Sequence, residues 1–283
     1  MEANPGTVSL EQMKLCRKAS INRISLGLQS TVQQELDMLG RIHTYEEFLQ
    51  SYQWAREAGF DNINVDLMFA IPGQTCESWK HNLETVAELL PEHISAYSLI
   101  IEEGTPFARK KLILPTEDEE YQMYEDTAEI LRKYGFHQYE ISNYARDGFE
   151  CRHNKGYWQR TEYLGAGLGA ASLFQGKRFS NTRDMQTYLA DSTEPEKIRE
   201  DVTALSRNNE IEEFMFLGLR MTEGISERQF ERNFGCRIED IYGSVLAKYK
   251  EMDLLEHTGE FWRFTRKGIH VSNPVLADFL LDE

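Results

Sequence analysis

No two cysteines in this 283-residue chain stand close enough to share a metal by local spacing. The four are Cys16, Cys76, Cys151 and Cys236, and no C-x-x-C occurs among them. That excludes a zinc ribbon or an iron–sulfur cluster built from neighbouring thiols. Four thiols in a chain of this length also make no disulfide framework, so reduced thiols are expected. Apolar runs are short as well. None reaches the roughly 18 residues of a spanning helix, and the N-terminus has no basic stretch followed by an apolar one. A cytoplasmic protein without a transmembrane segment is the expectation. Cations are in deficit: 31 Lys and Arg against 47 Asp and Glu give a net charge of -16. Binding to a phosphate backbone needs clustered cations, so nucleic acid is not an expected partner.

What the chain does contain is enough to fold. Hydrophobic residues make up 41% and charged residues 28%, the balance of a globular protein that buries a real core, as one large domain or one domain plus an appendage. Four β-like segments recur in the first half: Asn22–Gln29, Asn62–Ala70, His93–Ile100 and His137–Asn143. Between them lie stretches of helical period, including Tyr45–Ala58 and Glu77–Leu90. Two of the intervening helices end in Gly-Phe before the next strand, where glycine relieves left-handed strain at the helix end. A further helix is expected from Thr116 to Tyr134, with Thr116 and Glu119 forming a capping box. Strand–helix alternation implies parallel strands with outer helices, either part of a βα barrel or an open α/β sheet.

In such sheets the functional residues sit where strands end. Gln29, Asp66 and the turn Ile71-Pro72-Gly73-Gln74-Thr75 are therefore the positions to inspect. Asp66 lies inside an apolar strand, where an unpaired carboxylate is costly; it either bonds loop amides or serves a ligand. The glycines at 165, 167 and 169 fit no nucleotide fingerprint and suit close backbone packing instead.

From Asn208 onward the pattern predicts a helix stopped at Gly224, a short helix capped by Ser226, a longer one over Ile238–Met252, a hairpin at Thr258-Gly259 and a last helix over Pro274–Leu281. Helices followed by a hairpin resemble a winged-helix module. Its 9 Lys and Arg against 15 Asp and Glu oppose DNA binding and favour packing or partner docking.

The densest chemistry lies at residues 151–158, CRHNKGYW. Cys151 and His153 are too close, and too isolated, for a zinc site or a nucleophilic dyad. Two readings stay open. Tyr157 and Trp158 bury ring area while a backbone carbonyl satisfies His153, or the imidazole serves as an axial donor to haem between aromatic walls.

The stretches EANPG, NRISLGLQS, LGRIHT, NINVDLMFAIPGQT, YEISNYA, CRHNKGYW, YLGAGLGAAS and EEFMFLGLRMTEGI resemble, in order, the HemW-type haem chaperones. These are radical S-adenosylmethionine proteins related to oxygen-independent coproporphyrinogen III oxidases. The resemblance covers essentially the whole chain. It implies a partial radical-SAM βα barrel over residues 1–145 and a connecting region over 146–207 that packs on the barrel. A HemN-like, winged-helix-like α+β domain over 208–283 completes the chain. It further implies that Glu2, Gln29, Arg41 and Asp66 line half of an S-adenosylmethionine pocket, Arg41 suiting a carboxylate. The H-N-x-x-Y-W signature, here His153, Asn154, Tyr157 and Trp158, implies haem: His153 as ligand to the haem iron, Tyr157 and Trp158 as walls, Cys151 as an additional partner.

The family's C-x-x-x-C-x-x-C motif, which holds a [4Fe-4S] cluster, has no counterpart in this sequence. The expectation is a family member lacking its first two strand–helix units and the cluster ligands, with weak or no adenosylmethionine binding and no oxidase activity. The expected function is haem binding and transfer to an acceptor haemoprotein. The alternatives are a coproporphyrinogen III oxidase-like enzyme of porphyrin biosynthesis or a cofactor-free interaction module. An incomplete barrel exposes a strand edge, through which self-association is expected.

Overall fold

Three strands in the first half alternate strictly. Ile24, Leu26 and Leu28, then Ile63, Val65 and Leu67, then Ile94 and Ala96 share one parity; Ser25, Asn64, Asp66, His93, Ser95 and Tyr97 share the other. Because successive strand residues point to opposite faces, this pattern builds a sheet with one apolar and one polar face. The computed structural model, which describes residues 1–105 and 107–281, has that sheet. The chain divides into two compact units, residues 1–150 and 151–283.

In the first unit the strands are β1 (Glu2–Ala3), β2 (Ile24–Gln29), β3 (Ile63–Phe69), β4 (His93–Ser98), β5 (His137–Glu140) and β6 (Asn143–Ala145), ordered β1-β2-β3-β4-β6-β5. β1 to β4 run parallel. Their crossovers carry α1 (Leu10–Lys18), α2 (Gln33–Leu39), α3 (Tyr45–Glu57) and α4 (Cys76–Glu88). After β4 comes α5 (Glu117–Lys133), started by the expected capping box of Thr116 and Glu119. The apolar face of the sheet packs against Phe48 and Tyr52 of α3, Trp79 and Leu83 of α4, and Met123 and Leu131 of α5. Trp79 is fully buried, and its indole N–H donates to Met123 O and Thr127 Oγ1, both at 2.9 Å. The parallel βα arrangement thus holds for β1 to β4, with β1 and β5 at the sheet edges.

The fourth β-like segment departs from expectation. His137–Asn143 is not one parallel strand but the first arm and turn of a hairpin, and β6 runs antiparallel to β4. Only Ile141 and Ser142 separate β5 from β6, and a two-residue connection can only reverse direction. Glu140 Oε1 fixes the turn by accepting from Ser142 N at 2.9 Å and Asn143 Nδ2 at 2.5 Å.

The second unit opens with α6 (Arg152–Trp158). A sheet of β7 (Ala171–Phe174), β8 (Lys177–Asn181) and β9 (Arg199–Ala204) follows, with α7 (Met185–Asp191) and α8 (Pro195–Ile198) between its last two strands. The glycine-rich run leads into this sheet, and close packing is its use: a Cβ on Gly165 would lie 2.3 Å from Ala171 O. Beyond it lie α9 (Arg207–Gly218), β10 (Ile225–Ser226), α10 (Glu227–Phe234), α11 (Ile238–Glu251), β11 (Leu255–Thr258), β12 (Phe261–Phe264), α12 (Arg266–His270) and α13 (Ser272–Ala277). β10, β12 and β11 form a small antiparallel sheet, so the helix–strand–helix–helix–hairpin order of a winged helix is present.

Two helix ends differ from the sequence pattern. α9 stops at Gly218 rather than Gly224, because Gly218 lies against Ile225 (a Cβ there would meet its Cγ2 at 2.3 Å) and the chain must turn to pair β10 with β12. Gly224 makes that turn at φ +82°, where a side chain would meet Trp262 O. The last helix is Ser272–Ala277, preceded by the unforeseen α12, instead of Pro274–Leu281. Among the described residues no helix is long and apolar enough to cross a membrane, and no group of three His, Cys, Asp or Glu side chains is placed to hold a metal.

Candidate functional site

Two sets of candidate residues are built differently, one in each unit. The first lies on the polar face of the six-stranded sheet. Register places Glu2, Ser25, Asn64 and His93 in one row and Gly27, Asp66 and Ser95 in the next. Asp66 accepts from Ser25 Oγ at 2.9 Å and from Asn64 Nδ2 at 2.7 Å. Its partners are therefore neighbouring side chains, not loop amides. Burial pushes its carboxyl above the usual range, opposed by the bonds from Ser25, Asn64 and Ser95 and reinforced by the Glu2 charge.

Asn64 is oriented in turn from the other side. Its Oδ1 lies 2.5 Å from His93 Nδ1, and His93 Nε2 lies 2.8 Å from Tyr139 OH. Since Asn64 Nδ2 already donates to Asp66 and Ser25, its oxygen must accept, and the His93 proton sits on Nδ1. Burial, then Arg23, holds the His93 pKa well below its ordinary value, so the ring is neutral.

Gln29 ends β2 at a bulge, with φ +73°. A non-glycine residue adopts that backbone at a cost of about 1–3 kcal/mol. Its Oε1 accepts from Tyr97 OH at 3.1 Å. Burial and then the Asp66 charge raise the Tyr97 pKa, the bond to Gln29 and the charge of Arg41 lower it, and the Glu2 charge raises it. Arg41 lines a recess of about 460 Å³ with Met68, Leu99, Ile100 and Phe107. Gln74 of the inspected turn is spent elsewhere. With Ser30 and Asn82 it bonds the buried Glu35 carboxylate, and Ser78 Oγ donates to the same group.

The second set lies on α6. His153 is exposed and makes no hydrogen bond among the described residues, so no main-chain oxygen satisfies it. Tyr157, one turn on, meets its ring edge-on at 4.5 Å, and Tyr163 meets Tyr157 at 4.7 Å. Burial raises the Tyr157 pKa, with a further contribution from Tyr163. The ladder is anchored below. Tyr163 bonds Arg178, and Arg178 and Arg160 both pair with the buried Glu213, at 2.6 and 3.0 Å. Trp158 stands apart from this ladder. The Arg220 guanidinium lies 4.4 Å over its ring, its buried Nε1 has no hydrogen-bond partner among the described residues, and it lines a recess of about 280 Å³ with Phe214, Met221 and Ile225. Cys151 is buried at the start of α6 and in no disulfide.

Sequence reasoning singled out neither Tyr97 nor Tyr163. The period-2 run His93, Ser95, Tyr97 is a signal for the first, since polar residues at one parity of a strand mark one face. Tyr163 lies six residues beyond Tyr157 with a turn between, and no local spacing announces their contact.

Residues 1–86 match the radical SAM superfamily, and residues 205–271 match the HemN C-terminal domain. Heme chaperone HemW of Lactococcus lactis subsp. lactis (strain IL1403) is 39% identical, over 100% of this chain and 75% of its own length. Heme chaperone HemW of Bacillus subtilis (strain 168) is 37% identical, over 99% of this chain and 75% of its own. Among solved structures, the radical SAM enzyme coproporphyrinogen III oxidase (HemN) from Escherichia coli superposes with a TM-score of 0.83 at 22% identity, covering 99% of this chain and 68% of that one. At that identity the likeness establishes a shared α/β fold.

Proposed function

Because this chain belongs to the HemW haem chaperone family of radical SAM proteins, we propose that it binds haem at α6 and passes it to an acceptor haemoprotein. The observation that carries this reading is His153: an exposed imidazole with no hydrogen bond among the described residues, flanked by the edge of Tyr157. An imidazole nitrogen with no other hydrogen-bond partner among the described residues is a ready donor to a haem iron, and the aromatic flank suits a flat apolar cargo. One-sided ligation leaves the opposite iron face open to a ligand from the acceptor, which is what transfer requires. Trp158 faces another side of α6 under Arg220, and the Cys151 thiol is buried, so neither is assigned to the haem held at His153.

The donor set in the first unit fits S-adenosylmethionine. Arg41 suits its carboxylate, the apolar recess beside Arg41 suits its flat base, and Glu2, Gln29 and Asp66 offer polar contacts, with Tyr97 joining them. A [4Fe-4S] cluster supplies electrons for radical chemistry in this superfamily. The C-x-x-x-C-x-x-C motif is not in this sequence, and no radical step is assigned to these residues. The acceptor is a protein, in keeping with the net charge of -16, and the compartment is the cytoplasm.

The test is a titration with ferric haem. The purified chain should give a shifted Soret band that His153→Ala abolishes and Tyr157→Ala weakens. A Soret shift that survives His153→Ala would remove His153 as the ligand.

A further inference from the structure

We infer that Glu213 is a positioning residue for the haem ligand His153, acting through Arg178, Tyr163 and Tyr157; this rests on the haem reading above. An imidazole displayed on a helix is free to turn about its side-chain torsions, and each orientation aims its ring nitrogens elsewhere. A site that holds one plate in one pose needs that freedom reduced before the iron arrives, and groups behind the ligand do this.

The contacts that reduce it form a continuous chain. The edge of Tyr157 meets the His153 ring at 4.5 Å, and Tyr163 meets Tyr157 at 4.7 Å. Tyr163 is fixed at both ends. Its backbone exchanges two hydrogen bonds with Leu173, at 2.8 and 3.0 Å, and its hydroxyl bonds Arg178. Leu173 and Arg178 are register partners on β7 and β8, so Tyr163, Leu173 and Arg178 lie abreast on one face of that sheet.

Behind them stands Glu213 of α9, only 7% exposed. Its oxygens are divided: Oε1 accepts from Arg178 Nε at 2.6 Å and Oε2 from Arg160 Nε at 3.0 Å. Arg160 is the residue that brings the chain out of α6 through the left-handed region, at φ +55°. One buried carboxylate therefore ties the end of the helix that carries His153 to the sheet on which Tyr163 lies. The neighbouring acids on α9 serve other ties. Glu210 reaches Arg160 at 3.6 Å, and Glu212 accepts from Leu281 N at 2.7 Å. A packed apolar side chain often stabilises a fold as well as a buried ion pair does; what a carboxylate between two guanidinium groups supplies is a directed geometry.

The experiment titrates ferric haem into the wild-type chain, Glu213→Gln, Tyr163→Phe, their double variant and Glu210→Gln. The Soret band and the electron paramagnetic resonance of the loaded protein are followed. A glutamine amide has one acceptor oxygen, so it cannot serve both arginines, whereas phenylalanine keeps the ring of Tyr163 and loses its bond to Arg178. Each of these two single variants should bind haem about fivefold more weakly, the size of one aromatic edge contact, and broaden the resonance as the imidazole samples several angles. The double variant should be no weaker than Glu213→Gln, because both changes cut the same chain, and Glu210→Gln should match the wild type. A purely structural role would lower the melting midpoint of Glu213→Gln and leave the affinity and resonance of the folded protein unchanged; that result overturns the assignment, as do additive losses in the double variant. Should Glu213→Gln fail to fold, Tyr163→Phe decides by the same readouts. If His153→Ala abolishes the Soret shift while Glu213→Gln and Tyr163→Phe bind as the wild type does, the haem reading stands and only this inference falls. If the wild type gives no Soret shift, the haem reading fails and takes this inference with it.

Discussion

The two candidate sites differ in how their residues are held. On the sheet, Asp66 and Gln29 are fixed by side-chain hydrogen bonds, and a second layer of Asn64, His93 and Tyr139 fixes the first. On α6, His153 is displayed to solvent, and its described contact is the edge of one ring. Preorganisation of the first kind suits a small polar ligand that must sit in one pose. Display of the second kind suits a cargo that must be taken up and surrendered, since a donor buried in its own hydrogen bonds would have to be freed at each exchange. The contrast predicts that substitutions on the sheet cost stability, whereas those on α6 cost binding.

The largest effect is expected at Asn64. Asn64→Ala removes the donor to Asp66 and Ser25 and leaves the buried His93 N–H unmatched, which should cost the first unit about 3 kcal/mol in urea denaturation. A loss under 1 kcal/mol would mean that the polar face is not held as described.

A smaller effect is expected from pH. His93 stays neutral in the folded protein but titrates near 6.5 when unfolded, so below that value the unfolded chain binds the extra proton. The stability that His93 contributes is therefore complete above pH 6.5 and is lost as pH falls from there towards its depressed folded pKa. His43, also lowered by burial, acts in the same direction. Thermal melts between pH 7.5 and 5 should show the midpoint falling with pH, and His93→Gln should flatten the slope while lowering the midpoint at pH 7.5. An unchanged slope in the variant would contradict a neutral buried imidazole.

The smallest stability effect belongs to His153→Ala, expected within about 0.5 kcal/mol of wild type because an exposed ring without hydrogen bonds supports little. A destabilisation of 2 kcal/mol would mark His153 as part of the local fold and break the contrast between the sites.

Much of this was readable from residue order. β2, β3 and β4 were announced by apolar runs alternating with stretches of helical period, α5 by Thr116 and Glu119, and α10 by Ser226 and Gly235, whose φ is +68°. The β5–β6 hairpin was not, because Ile141-Ser142 lacks the Asn-Gly or Asp-Gly signature of a tight turn and the reversal is fixed by Glu140 reaching forward. The end of α9 was missed because Gly218 stops it through a tertiary contact with Ile225, which no local pattern encodes. For the sites, the family motifs supplied the positions, but the chain alone did not tell displayed from buried. His153 and His93 are both histidines beside aromatic partners, and only packing makes one exposed and the other wholly enclosed.

The central claim is that a single imidazole on α6 holds the cargo. Electron paramagnetic resonance of the ferric haem-loaded chain tests it directly, with His153→Gly examined before and after addition of free imidazole. The account predicts a histidine-ligated signal in the wild type, its loss in the variant, and its return when imidazole fills the gap. An identical signal in wild type and variant would contradict it.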